Sequence, residues 1–343
     1  MAQKFQNPMI AGQEATFEWH GEKAPGLIGD FNQWDPQQAI LLQPVSRRRW
    51  AITMRFPQDA YVEYAFLLDG ARVADPGNPQ VIFNGINEYN RFFYMPGCGP
   101  TPLIKRRRGV QHGTLQQYKI NANLLYGRDE DQPVLARRSV TLYQPADEQP
   151  CPLVVVFDGP DYLRRSRLPV IVDNLLAQGR IRPIALAMIA NGGKMRSIEY
   201  SCSELTLEFI HSSVLPLAKR NLNLADVDGS PGSYGVLGAS MGGLISLYTA
   251  LRAPQIFGHV LSQAGAFYPG YVVNDLVCLG AAKSLKIWMD VGTLDFLLED
   301  NRRMHKLLLA QGYNVSYREF NAGHNYTAWQ NNIERGLVHL FGV

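Results

Sequence analysis

Six consecutive residues, Gly238-Ala239-Ser240-Met241-Gly242-Gly243, have the types and spacing that turn a serine into a nucleophile. They follow the apolar run Tyr234-Gly235-Val236-Leu237 and precede a stretch of helical periodicity, Leu244 to Arg252. A strand that becomes a helix within so few residues leaves no room for bulk two places before or after the serine, hence Gly238 and Gly242. The turn lifts Ser240 Oγ to the carboxyl end of the strand, and the helix N-terminus aims backbone N–H groups at negative charge developing there. The Met241 N–H is then one oxyanion donor. The same spacing also suits a glycine-rich turn with a capping serine, so the nucleophile reading rests on a base and an acid further along.

When the triad runs in the order serine, acid, histidine, the seven histidines reduce to His305, His324 and His339. His305 and His339 fall in helical patterns, whereas His324, in Asn321-Ala322-Gly323-His324-Asn325, follows the last strand on a loop free to reach over a sheet edge. It is assigned as general base. The acid belongs after the preceding strand, where Asp290, Asp295 and Glu299 lie. Asp290 sits inside the strand pattern and Glu299 in the following helix, so Asp295, in Gly292-Thr293-Leu294-Asp295-Phe296, is assigned to hold the His324 tautomer. Its bland alternative is a cap on the next helix.

These residues need a sheet to present them. From about residue 110, apolar strand candidates (Arg138 to Tyr143, Pro152 to Phe157, Ile184 to Ile189, Ser233 to Leu237, His259 to Ser262, Leu285 to Val291, Val315 to Phe320) alternate with helical patterns (Leu168 to Gln178, Glu204 to Arg220, Gly242 to Arg252, Leu298 to Gln311, Thr327 to Phe341). That alternation predicts an α/β domain with a mostly parallel sheet covered on both faces. The first hundred residues instead carry short runs, Ala15 to His20, Gly26 to Gly29, Trp50 to Phe56, Val62 to Leu68 and Phe92 to Met95, broken by turns such as Asp75-Pro76-Gly77-Asn78. They predict a small all-β sandwich. Pro96-Gly97-Cys98-Gly99-Pro100-Thr101-Pro102 breaks both patterns. The expected organisation is a sandwich over 1–100, a linker over 101–115 and the α/β domain over 116–343.

The composition narrows the partners. With 46% apolar and 18% charged residues and a net charge of +3, the 343-residue chain is globular and too weakly basic to point to nucleic acid. No stretch has the length and hydropathy of a membrane span or a signal peptide, so a cytoplasmic protein without membrane association is expected. Cys98, Cys151, Cys202 and Cys278 show no metal-ligand or disulfide spacing and are expected to be free thiols. Neither a metal nor an organic cofactor is required by serine chemistry.

The second domain resembles the enterochelin-esterase-like branch of the esterase D group of α/β-hydrolases. The resemblance lies in Val154-Val155-Val156-Phe157-Asp158-Gly159, Arg196 with Glu199 and Tyr200, Glu204, Val236 to Gly243, Leu261-Ser262-Gln263-Ala264-Gly265, Gly292-Thr293-Leu294-Asp295 and Gly323-His324. It implies an α/β-hydrolase fold, Ser240, Asp295 and His324 as triad, and an oxyanion hole from Met241 and the loop after Asp158-Gly159. The chain departs from the pattern at Pro160, which has no N–H to donate. A shifted donor, Gly159 or Asp161, is therefore expected. The first domain resembles the early-set (immunoglobulin-like) sandwich that precedes glycogen-branching enzymes and enterochelin-esterase-like hydrolases, through Leu27 to Trp34, Tyr64 to Gly70 and Asp75-Pro76. Arg72 and Ala65 stand where sugar-binding members carry a second Trp and a Lys, so starch or glycogen binding is not expected, and Trp34 is expected to pack.

The implied substrate is a small-molecule ester, a ferric catecholate siderophore ester or another aryl ester. Such anionic ligands suit a basic, aromatic cleft, for which Arg164, Arg165, Arg167, Arg196 and Tyr162 are candidates. Those arginines could equally be solvated or paired with Asp161, Glu199 and Glu204. A feruloyl or acetyl esterase acting on plant polysaccharide is the alternative, and a carbohydrate-binding protein with a vestigial hydrolase is a third. Nothing in the sequence fixes the oligomeric state.

Overall fold

The computed structural model describes residues 6–85, 88–126, 136–147, 149–280 and 282–343. They divide into two compact units: Met1–Pro100 with Gly292–Leu298 and Glu319–Ala328, and Thr101–Val291 with Glu299–Arg318 and Trp329–Val343.

The strands of the first unit's N-terminal part are β1 (Met9–Ala11), β2 (Glu14–His20), β3 (Gly26–Gly29), β4 (Ile40–Leu41), β5 (Gln43–Ser46), β6 (Arg49–Arg55), β7 (Tyr61–Leu68), β8 (Ala71–Val73), β9 (Val81–Phe83) and β10 (Tyr89–Tyr94). They form one sheet in the order β1-β2-β6-β5 and another in the order β4-β3-β7-β10-β9, with β8 paired to β7. Alternation places Ala15 and Phe17 of β2 in a common core with Val62, Tyr64 and Phe66 of β7, Leu27 and Phe93. The opposite face of β7 packs Ala65 and Leu67 with Ile28 and Trp34. The Trp34 indole N–H donates to Asp30 at 3.0 Å, and the Arg72 guanidinium lies 4.8 Å over its ring, so this ring is engaged within the sandwich.

The second unit is built on one sheet of eight strands. They are β11 (Thr114–Asn121), β12 (Arg137–Gln144), β13 (Leu153–Val156), β14 (Ala185–Ile189), β15 (Tyr234–Ala239), β16 (Phe257–Gln263), β17 (Lys286–Gly292) and β18 (Asn314–Phe320), in the order β11-β12-β14-β13-β15-β16-β17-β18. The run from β14 through β13, β15 and β16 to β17 is parallel, and every residue of β13, β14 and β15 is buried. The helices are α1 (Gly159–Arg164), α2 (Leu168–Ala177), α3 (Arg196–Tyr200), α4 (Glu204–Phe209), α5 (Leu215–Asn221), α6 (Met241–Arg252), α7 (Val272–Leu279), α8 (Leu298–Ala310) and α9 (Tyr326–Phe341).

Two local features depart from the sequence reading for identifiable reasons. The single helix expected over Glu204 to Arg220 is α4 and α5 joined by a π-helical turn, Ile210–Val214. Pro216 lacks an N–H and crowds the carbonyl four residues back, and the wider turn absorbs it. The expected linker is not a free tether: the Thr101 N–H donates to Asn331 at 2.9 Å, and Asn174 Nδ2 donates to the carbonyls of Leu103 and Lys105 at 2.6 and 3.0 Å. Backbone groups that proline leaves without helical or sheet partners are thus satisfied by side chains of the second unit, and β11 already begins at Thr114.

In the sandwich core, the Tyr64 hydroxyl donates to Asp75 at 2.6 Å and accepts from Asn78 at 3.0 Å. Replacing Tyr64 with Phe strips a partner from each of two buried groups. A loss of about 1–3 kcal/mol in unfolding free energy is expected from denaturant titration; an unchanged midpoint contradicts this account of the core.

Candidate active site

The strand-to-helix turn at Ser240 is strained, and its neighbours hold it. Ser240 has φ 58° and ψ −125°, a region that costs a non-glycine residue on the order of 1–3 kcal/mol. Four hydrogen bonds fix it: Ser240 N–H to the Gln263 carbonyl at 2.9 Å, and the N–H groups of Ala266, Gly243 and Leu244 to the Ser240 carbonyl at 3.0, 2.9 and 3.1 Å. A side chain at Gly238 would collide with the Gly242 carbonyl, which is why the turn closes only with glycine there. Met241 is the first residue of α6, so its N–H has no carbonyl within the helix to bond.

A second turn lies beside this one: a Cβ on Gly242 would stand 3.2 Å from Asp158 Oδ2 and 3.4 Å from Phe157 Cβ. Asp158 has φ 53°, and its buried carboxylate takes two hydrogen bonds from Arg196, at 2.8 and 2.7 Å, and one from Asn191 at 2.6 Å. Its N–H donates to the Tyr200 hydroxyl at 3.2 Å. Gly159 follows so close to Met188 and Ile189 that any side chain would strike their backbone. Of the two donors expected to substitute for Pro160, the Asp161 N–H is already spent on the Asp158 carbonyl at 2.9 Å. Gly159, which opens α1, remains.

Beneath both turns runs a buried polar chain. Gln263, at the end of β16, accepts from the Tyr162 hydroxyl at 3.1 Å and donates to Asp290 at 3.3 Å and to the Trp329 carbonyl at 3.2 Å. Asp290 also accepts from the Trp288 indole at 2.9 Å, and burial pushes its carboxyl up to about 6. Asn301 grips Gly265 through both its N–H and its carbonyl, at 3.2 and 2.9 Å. These supports escaped the sequence reading; Gln263 and Gly265 appeared there only as part of a motif.

The Asp295–His324 pair lies wholly within the first unit. Asp295, with its side chain wholly buried, accepts from His324 Nδ1 at 2.8 Å through Oδ2 and from the Leu297 N–H at 2.9 Å through Oδ1. It therefore orients the histidine and caps the approach to α8 together. A carboxylate can only accept, so Nδ1 carries the proton and Nε2 is left as the basic nitrogen. The His324 ring is one-fifth exposed and packs on Phe296, with centroids 4.5 Å apart. The other two histidines considered are packed elsewhere: His305 stacks on Tyr317 and His339 lies against Trp288.

The expected binding residues divide. Tyr162 is fully buried with its hydroxyl on Gln263, because the first turn of α1 directs it into the core, and it offers a ligand no surface. Arg196 is engaged by Asp158 and braces the turn into α1, while Arg164 and Arg167 are exposed. Arg165 approaches Asp161 at 3.6 Å, Arg138 pairs with Glu199 at 2.5 Å and Arg252 pairs with Glu204. Among the described residues no cluster of three or more His, Cys, Asp or Glu could hold a metal, no helix is long and apolar enough to cross a membrane, and the cysteines are unpaired.

A family model for esterases matches residues 135–340, more than half of the chain. The chain belongs to this esterase family. Among curated relatives, this family member is 29% identical over 206 residues to the iron(III) enterobactin esterase of Dickeya dadantii (strain 3937), covering 54% of this chain and 47% of that protein. The chain thus spans about half the length of that relative. It is 23% identical over 313 residues to an endo-1,4-beta-xylanase/feruloyl esterase of Xylanibacter ruminicola, covering 85% of this chain and 40% of that one. In fold it is similar to the enterobactin esterase of Shigella flexneri crystallised in the presence of 2,3-Di-hydroxy-N-benzoyl-serine, with a TM-score of 0.76 and 19% identity over 95% of this chain and 92% of that one. The expected α/β-hydrolase sheet with an N-terminal early-set sandwich is the fold found.

Two measurements test the supports of the site. Arg196→Met should lower kcat for p-nitrophenyl acetate, an uncharged ester, by tenfold or more, in line with the roughly 10²–10³ carried by one oxyanion donor; an arginine that served only to bind anionic substrate would leave that rate unchanged. The folded-state pKa of Asp290, about 6, lies above its unfolded value of 3.8, so its stabilisation is complete below pH 3.8 and lost as pH rises to 6. Unfolding free energy of the parent minus that of Asp290→Asn should fall across this window by on the order of 3 kcal/mol, and a flat difference contradicts a buried, proton-retaining Asp290.

Proposed function

We propose that this protein is a serine carboxylic ester hydrolase whose substrate class is the catecholate siderophore esters. The observation that carries the catalytic reading is the strained Ser240 turn, with a positive φ where a capping serine would be extended, held by backbone hydrogen bonds to Gln263 and Ala266. The Asp295–His324 pair supplies the matching base.

In the proposed mechanism His324 Nε2 takes the Ser240 proton as Oγ attacks the ester carbonyl. The tetrahedral oxyanion draws on the N–H groups of Met241 and Gly159. Asp295 stabilises the imidazolium, which returns the proton to the leaving alcohol as the ester C–O bond breaks. Water, deprotonated by the same histidine, then attacks the acyl-enzyme; the acid leaves and Ser240 recovers its proton.

The substrate class rests on the chain's similarity to an iron(III) enterobactin esterase and on the exposed Arg164 and Arg167 following the oxyanion turn, which suit an anionic ligand. The second reading, a feruloyl esterase, is favoured by the similarity to the xylanase/feruloyl esterase, whose alignment spans most of the chain.

Purified protein should hydrolyse ferric enterobactin with a higher kcat/KM than methyl ferulate, and the reverse order selects the second reading. Ser240→Ala should reduce both rates by at least about 10³-fold, abolish labelling by a fluorophosphonate probe and leave the melting temperature nearly unchanged. A labelled, active Ser240→Ala protein refutes the nucleophile assignment.

A further inference from the structure

The sandwich and the acid and base loops form one compact unit, although about two hundred residues of chain separate them. The link is Asn321, three residues before His324. Its carbonyl accepts the Tyr61 N–H at 2.9 Å, at the start of β7. Its Nδ2 donates to Asp59 at 2.7 Å, and its Oδ1 accepts from the Thr293 hydroxyl at 2.9 Å, two residues before Asp295. One side chain therefore ties the base loop, the acid loop and the sandwich together. Backbone bonds reinforce it: Thr293 N–H to the Phe320 carbonyl at 2.7 Å and Leu294 N–H to the Ala322 carbonyl at 3.1 Å.

Two packing contacts complete the seat. Leu294, next to Asp295, packs against the aromatic core of the sandwich. Gly323, next to His324, lies so close to Asp30 that any side chain at 323 would strike the Asp30 carboxyl. That carboxyl cannot swing aside, because Oδ2 accepts the Glu63 N–H at 2.8 Å and Oδ1 accepts the Trp34 indole N–H at 3.0 Å. Burial, and then the neighbouring Glu63, raise its pKa well above the ordinary carboxylate range. The Tyr61 hydroxyl meets Thr327, three residues along the chain from His324.

We propose that the N-terminal sandwich acts as the scaffold that sets the catalytic base, with Asn321, Asp59 and Asp30 as positioning residues for His324. This rests on the esterase reading above. It gives the sandwich a role in the reaction that needs no bound sugar, consistent with a Trp34 ring already engaged by Arg72. A base displaced by about 1 Å can lose about 10²-fold in rate while ground-state binding persists, so the expected signature is a loss in kcat without a matching change in KM.

The test uses the full chain with p-nitrophenyl acetate as substrate. Asn321→Ala should lower kcat about tenfold or more with KM within about twofold, while the melting temperature changes little, since Asn321 is only half-buried. Asp59 is exposed, so Asp59→Ala should fold normally and lower kcat by several fold, whereas Asp59→Asn, which keeps a carbonyl acceptor for Asn321, should restore it. Parent kcat in Asn321→Ala, or a loss that only tracks the unfolded fraction, overturns the scaffold role, as does equal loss in both Asp59 variants. Ser240→Ala and His324→Ala separate the two readings: if both are inactive while Asn321→Ala matches the parent, only the scaffold proposal falls, and if either keeps the parent rate, the esterase reading falls and takes this proposal with it.

Discussion

The positive φ of Ser240 is the constraint around which the second unit is arranged. A residue with a Cβ does not rest in that conformation unaided, so the elbow persists only because neighbouring segments leave it no alternative. Gly238 removes the side chain that would strike the Gly242 carbonyl across the turn, and the segment from Gln263 to Ala266 bonds both the N–H and the carbonyl of Ser240. That segment is in turn held by Asp290 and Asn301. Each support is buried and polar, and each is satisfied by another buried group, which is the condition under which such networks rigidify rather than weaken a core.

Charge placement follows the same logic at the Asp158 turn. Asp158 is buried and carries a full complement of donors from Arg196 and Asn191. The ion pair fixes the conformation that leaves Gly159 at the head of α1, and a glycine is required there because Met188 and Ile189 crowd its Cα. Proline at 160 removes one donor and at the same time favours the helical turn at which Gly159 stands.

Legibility from sequence followed burial. The strands β13 to β17 read as apolar runs because both their faces are covered, and the boundaries differ from those expected by only a few residues. The edge strand β11 did not read at all: Thr114 to Asn121 is polar and mostly exposed, and its order comes from the ladder with β12. The short strands β1, β4, β5, β8 and β9 lack length for a pattern, as do α1, α3 and α7. The strained turn at Ser240 and the loops that pair Asp295 with His324 were legible because each sits in a local motif whose geometry the sequence dictates. The Arg196–Asp158 contact was not legible because the two residues lie 38 positions apart, nor was the inward direction of Tyr162, because the sequence gives no sign of which way an aromatic in a short helix faces. The Asn321 link was equally invisible, since it joins three segments distant in the chain.

The first compact unit is not contiguous in sequence, and that has a consequence for biogenesis. Its strands β1 to β10 are synthesised before the parallel sheet, yet Gly292–Leu298 and Glu319–Ala328 follow only after nearly the whole of that sheet has been made. The sandwich strands can bury their aromatic core ahead of the rest of the chain, but the partners of Asp30 and Tyr61 at Gly323 and Asn321 are translated only after strands β11 to β17. Completion of the first unit is therefore deferred until Glu319–Ala328 has been made, and a nascent chain arrested before residue 319 would carry the Ser240 elbow and Asp295 without the His324 that pairs with it.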